Sequence, residues 1–146
     1  MLTDKPRQIV RGALRRVGVV DDTPLPPAWR EVARPEQLPP PGDWMYWVFL
    51  GGRGAGKTRA GAEAVCERVE SGLARRVGLI APTAADTRDV IIEGESGLLA
   101  VYRRMGKRPP LYEPSKRRVT WANGSVATTF SADEPDRLNG PQHDLL

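Results

Sequence analysis

An eight-residue glycine-rich stretch, Gly51-Gly52-Arg53-Gly54-Ala55-Gly56-Lys57-Thr58, constrains the fold more than any other segment of the chain. It matches the pattern G-x-x-x-x-G-K-[ST], and its flanks match too. Met45-Tyr46-Trp47-Val48-Phe49-Leu50, just before it, is short, apolar and rich in aromatic and β-branched residues, which predicts a strand buried on both faces. The run from Lys57 to Ser71 is rich in Ala and Glu, and Gly72 supplies a C-terminal stop, so a helix is expected there. Strand, glycine-rich loop and helix in that order are the context a phosphate-binding loop requires; the alternative is a plain glycine-rich turn.

The residue types fit phosphate chemistry. Gly51, Gly54 and Gly56 open backbone conformations closed to other residues, so that successive N–H groups of Gly51, Gly52, Arg53, Gly54, Ala55 and Gly56 can wrap a β-phosphate. The helix N-terminus adds partial positive charge. Lys57 is placed to reach β- and γ-phosphate oxygens of ATP, and the Thr58 hydroxyl to ligate the bridging Mg²⁺. Arg53 is a further cation inside the loop. Trp44 and Trp47 can stack on an adenine, or belong to the core.

At 146 residues the chain has room for one α/β domain. Lys and Arg number 22 against 18 Asp and Glu, a net charge of +4, and the cations are mostly arginine, the better bidentate partner for phosphates. That excess fits a nucleic-acid partner, although the charges are spread along the chain. The single cysteine, Cys66, excludes an internal disulfide framework and reads as a buried small hydrophobe. His143 has no metal-binding companions at a suitable spacing. No segment reaches membrane-spanning length and no secretory signal is evident, so a cytoplasmic protein with no membrane partner is expected.

Residues 1–43 read as a basic amphipathic helix (Pro6 to Val19) and a proline-rich lead-in, and residues 44–146 as the α/β unit. Val77 to Ala81 predicts a second strand. Thr83 with Asp86 reads as a helix start, and Ser96 as a possible cap of another helix that stops at Gly106. Pro109, Pro110 and Pro114 mark a loop, with the basic cluster Lys116, Arg117 and Arg118 after it. Asn123-Gly124 between two β-rich runs predicts a hairpin. Residues 131–142 read as a loop, and His143 to Leu146 as the beginning of a strand. The expected fold class is therefore α/β, with a mainly parallel sheet flanked by helices, plus a β-hairpin.

A P-loop ATPase also needs an apolar strand ending in Asp or Asp-Glu. The runs ending at Gly51 and Pro82 lack it, and Asp133, Glu134 and Asp136 have no apolar strand before them, so Asp144-Leu145-Leu146 is the only plausible lead-in. Together with Arg34-Pro35-Glu36-Gln37-Leu38-Pro39, Arg59-Ala60-Gly61-Ala62-Glu63, Leu79-Ile80-Ala81-Pro82-Thr83 and Ser131-Ala132-Asp133-Glu134-Pro135, the loop makes the chain resemble the ATPase half of phage large terminase subunits, particularly those of tailed-phage-like elements and gene transfer agents.

That resemblance implies an incomplete P-loop NTPase fold of the ASCE type. It also implies MgATP on Lys57 and Thr58, a catalytic role for Lys57, and a γ-phosphate-sensing Arg53 in a motor that translocates double-stranded DNA. A portal protein, a small terminase subunit and a homo-oligomeric ring are the implied partners. Family members often carry Arg-Gly where this chain has Asn139-Gly140, so Arg137 is the nearest candidate for an arginine donated to a neighbouring subunit; the alternative is a solvated loop residue. The resemblance further implies that the catalytic acids and a nuclease domain lie beyond Leu146, and that the strand before the loop lacks its neighbours here, so that these residues alone fold poorly or differently. A helicase-like ATPase and an inactive nucleotide-binding module are the competing readings.

Overall fold

The computed structural model describes residues 28–42 and 44–146, so the N-terminal basic helix expected from Pro6 to Val19 lies outside the described residues. The described chain begins with a short helix α1 (Trp29–Val32) and a 3-10 turn (Pro35–Gln37). Helix α2 (Lys57–Glu70) follows the glycine-rich loop, and Gly72, at φ 78°, turns the chain away at its end. Strand β1 (Arg76–Ala81) leads to α3 (Ala84–Asp86), which continues as one π-helical stretch (Thr87–Ile92). Helix α4 (Leu98–Arg104) and strands β2 (Leu111–Glu113), β3 (Arg118–Thr120) and β4 (Val126–Ser131) complete the fold.

The sheet runs β1-β4-β3-β2, with β1 and β4 parallel and the other two pairings antiparallel. The fold class is α/β, but the sheet is mixed rather than mainly parallel. The cause is local: Asn123-Gly124 turns β3 straight back into β4, and a tight turn joins only antiparallel neighbours. Gly124 sits at φ 84° and its N–H bonds the Trp121 carbonyl, so the hairpin signal in the sequence was accurate. Asn123 also donates to the Val69 carbonyl at 3.0 Å, tying the turn to the last turn of α2.

Thr83 caps α3 as expected: its hydroxyl oxygen accepts from the Asp86 amide at 3.1 Å and the hydroxyl donates to the Asp86 carboxylate at 2.7 Å. Ser96 does not cap α4; Gly97 is the N-cap and no side chain bonds there. The core lies between α2, α4 and one face of the sheet, built on Cys66, Val69, Val77, Ile92, Val101 and Ala127. Tyr102, buried in it, sends its hydroxyl to Glu70 at 2.8 Å. No helix among the described residues is long and apolar enough to cross a membrane.

The expected strand at Met45–Leu50 is overturned as a buried element. It pairs with nothing among the described residues, and Met45, Tyr46, Val48 and Leu50 are exposed. Among the described residues β1 is paired on one side by β4, and its other side carries a parallel bridge from Val77 to Leu145, so Met45–Leu50 has no place on either side. That bridge is the strand beginning expected at His143 to Leu146. Gly78 lies directly under this bridge, where a Cβ would crowd the Leu146 side chain.

Candidate functional site

The glycine-rich loop is built from alternating backbone handedness. Gly54 and Gly56 lie at φ 80° and 82°, with Ala55 between them outside the positive region, a pattern that lets successive N–H groups converge on an anion. The amides of Gly54, Gly56, Lys57 and Thr58 make no backbone hydrogen bond within the described residues. Gly56 is also the N-cap of α2, and no side chain caps that helix end. Four donors and the positive end of a 14-residue helix are thus left open at one place.

Lys57 folds back across the loop, its ammonium donating to the carbonyls of Gly51 and Gly52 at 2.7 Å each. Thr58 is half-buried, Arg53 is exposed, and neither side chain has a hydrogen-bond or ion-pair partner among the described residues. Gly52 is open: a Cβ there meets nothing within 4 Å, whereas one on Gly51 would press on Ala55.

Sequence reasoning assigned no local role to Arg34 and Gln37, yet they hold the loop in place. Both donate to the Ala55 carbonyl, Arg34 at 2.7 Å and Gln37 at 3.1 Å, while the Gln37 amide oxygen accepts from the Arg34 backbone at 3.0 Å. Gln37 is buried because it lies against Gly56, where a Cβ would stand 2.4 Å from its side-chain nitrogen. The Arg-Pro-Glu-Gln spacing, with Pro35 opening the 3-10 turn, was the available signal. The same segment is strapped to α2 by Arg30 on Glu67, by Arg59 over the Trp29 ring and by Arg68 over the Trp44 ring. Trp44 and Trp47 also pack against each other, ring centroids 6.3 Å apart.

Glu63, on the buried side of α2, pairs with Arg59; burial raises its carboxyl above the usual carboxylate range against that pairing. Burial likewise drives the Cys66 thiol far up, in keeping with an inert core position. Asp144 and Glu134 are committed elsewhere. Asp144 accepts from the Arg75 and Arg76 amides at 2.9 Å each, bonds that hold its carboxyl below the ordinary value. Glu134 is clasped by Arg117 at 2.7 Å and Arg137 at 2.9 Å, and the Arg117 bond above all depresses its carboxyl. Arg137, in the 3-10 turn Pro135–Leu138, is therefore ion-paired and lies outside the loop's own contacts. No group of three or more His, Cys, Asp or Glu side chains is assembled for a metal among the described residues.

Comparison with curated proteins and with solved structures gave no match. A family model described as terminase large subunit, T4likevirus-type, N-terminal, matches residues 48–146, from the end of the aromatic run through the loop, the sheet and the Leu145 bridge. That match covers more than half of the chain, and it begins at the segment whose geometry has just been described: the chain belongs to the terminase large subunit family, N-terminal part.

Proposed function

We propose that the Gly51–Thr58 loop is a phosphate-binding loop for MgATP, that the fold is the early part of a P-loop NTPase domain, and that the chain serves a phage-type motor that moves double-stranded DNA. The observation that carries this is the set of unpaired amides at Gly54, Gly56, Lys57 and Thr58, on the N-terminus of α2, with the Lys57 ammonium already at the loop mouth. The residues fit the ligand. On binding, Lys57 exchanges two loop carbonyls for phosphate oxygens, the four amides gain anionic acceptors, and Arg53 is free to turn towards the γ-phosphate. The Thr58 hydroxyl would be the protein group that holds magnesium. ATP supplies the hydrolytic free energy that a motor converts to movement.

The family's packaging role favours this reading over a helicase. Portal protein, small terminase subunit and a ring of copies in the cytoplasm of a host cell are the corresponding partners and setting. Among the described residues no strand ends in Asp-Glu, so the proposal assigns these residues nucleotide binding with at most feeble turnover on their own, since a missing general base alone removes about 10² to 10⁴ in rate.

Titration calorimetry with ATP and Mg²⁺ tests it. The chain is expected to bind and the Lys57→Ala variant to lose binding; failure of the parent chain to bind millimolar ATP refutes the reading. Steady hydrolysis abolished by Lys57→Ala would instead show that sufficient catalytic groups are present.

A further inference from the structure

The Ala55 carbonyl is gripped from outside the glycine-rich loop. Arg34 Nη2 donates to it at 2.7 Å and Gln37 Nε2 at 3.1 Å, across 21 and 18 residues of chain. The Gln37 amide has a single workable orientation, because its oxygen accepts from the Arg34 backbone N–H at 3.0 Å and turning it over would set oxygen against oxygen. Burial and the 3-10 turn Pro35–Gln37 hold the side chain there. The segment is pinned at its other end as well. The Arg59 guanidinium lies 5.1 Å from the Trp29 ring centroid and is itself paired with buried Glu63, and Arg30 binds Glu67 at 2.6 Å. Arg59, Glu63 and Glu67 all belong to α2, the helix that follows the loop.

We infer that, given the nucleotide reading on which this rests, residues 29–37 are a strap that aims the Gly56 N–H at a bound phosphate, with Gln37 and Arg34 as its positioning residues. A trans peptide is planar, and the carbonyl of one residue and the N–H of the next point opposite ways within it. The peptide between Ala55 and Gly56 is trans. A carbonyl drawn outward onto the strap therefore turns the Gly56 N–H to the other side, where it makes no backbone hydrogen bond among the described residues.

Without the strap little else fixes this peptide plane. Gly54 and Gly56, on either side of Ala55, are the residues freest to rotate it, and the Ala55 amide closes only a long turn onto the Gly52 carbonyl at 3.3 Å. Helix α2 holds the chain from Lys57 onward, and the strap holds it one peptide earlier. A rotated plane would present a carbonyl oxygen to the phosphate in place of an N–H, exchanging attraction for repulsion. An amide already aimed spares the ordering that binding would otherwise cost. Trp29 and Arg30 act at one remove, by keeping the strap on the same helix whose first turn carries Lys57 and Thr58.

Titration calorimetry of the intact chain with ATP and Mg²⁺, alongside amide NMR of the loop, tests it. Gln37→Met keeps the buried volume, changes no charge and removes the donor, and is expected to weaken binding about tenfold, the worth of one hydrogen bond to a charged acceptor. Arg34→Ala leaves Gln37 in place and is expected to weaken binding about threefold, while Arg34→Lys, which keeps a donor, recovers most of the loss. Arg34 is exposed, so its replacement leaves the fold intact even if Gln37→Met does not. At saturating ATP the Gly56 amide proton is expected to move downfield in the parent and markedly less in Gln37→Met and Arg34→Ala, while the Thr58 amide responds alike in all three; a purely structural role would diminish both signals together. No binding by the parent chain would remove the nucleotide reading and the strap with it. Parent-like affinity in both Gln37→Met and Arg34→Ala, or equal loss of the Gly56 and Thr58 responses, overturns the strap alone.

Discussion

Replacing Gly56 by alanine tests how the N-terminal strap and the glycine-rich loop depend on one another. Two costs arise there. At φ 82° a Cβ is strained, by about 1–2 kcal/mol. The new Cβ also stands 2.4 Å from the Gln37 side-chain nitrogen, which can move away only by giving up its 3.1 Å bond to the Ala55 carbonyl. Gln37 is buried, so that loss costs about 1–3 kcal/mol, and the sum is roughly 2–5 kcal/mol.

Gly54 is an internal control. Its φ of 80° is nearly the same, yet a Cβ there meets nothing within 4 Å, so Gly54→Ala is expected to cost the backbone strain alone. Urea unfolding of the two variants measures the difference directly. In a Gln37→Ala background the second cost has already been incurred, and Gly56→Ala is expected to fall to the Gly54→Ala value. Additivity of Gly56→Ala and Gln37→Ala within about 0.5 kcal/mol would refute the reasoning, because groups in contact should couple.

Asp144→Asn is expected to flatten the acid limb of stability. The native carboxyl titrates below its unfolded value of about 3.9, so its contribution is present above that value and is lost as pH falls through the native one. Exchange of the Gly78 amide, which bonds the Leu145 carbonyl at 2.8 Å, reads this locally: its protection, relative to the intrinsic exchange rate at each pH, should fall in acid in the parent chain and change less with pH in the variant. Cys66, buried with a raised thiol pKa, is expected to resist alkylation until the chain unfolds, so that labelling follows the denaturation curve; rapid labelling of the folded chain would contradict the core assignment. Asn123→Ala removes the bonds to the Val69 carbonyl and the Ser125 amide and is expected to cost about 1–2 kcal/mol in thermal or urea unfolding.

What was legible in the sequence was what neighbours along the chain determine. The Gly72 stop, the Thr83 cap and the Asn123-Gly124 hairpin each depend on a few adjacent residues, and all three are in the structure. Strand β2 escaped notice because three residues between Pro110 and Pro114 carry almost no pattern of their own; β3 supplies the edge on which they pair. Gln37 escaped because its role lies 18 residues away, at Ala55. Asp144 opens the run read as the approach to a catalytic acid, and the sequence did not show that its carboxylate clasps the Arg75 and Arg76 amides, 69 and 68 residues away.

The sharpest contrast lies within 14 consecutive residues, Met45 to Thr58, where both halves leave backbone donors unpaired. In the loop the open N–H groups stand beside glycines, a lysine and a helix terminus, where water can solvate them and an anion can replace the water. An open donor there costs little. In Met45–Leu50 the open groups stand between exposed aromatic and aliphatic side chains, and covering those side chains without pairing the backbone would strand polar groups away from water, at a cost of about 1–3 kcal/mol each. The open amides of the first half therefore suit a small anion, whereas the second half suits a polypeptide strand, which offers apolar cover and a ladder of hydrogen bonds together.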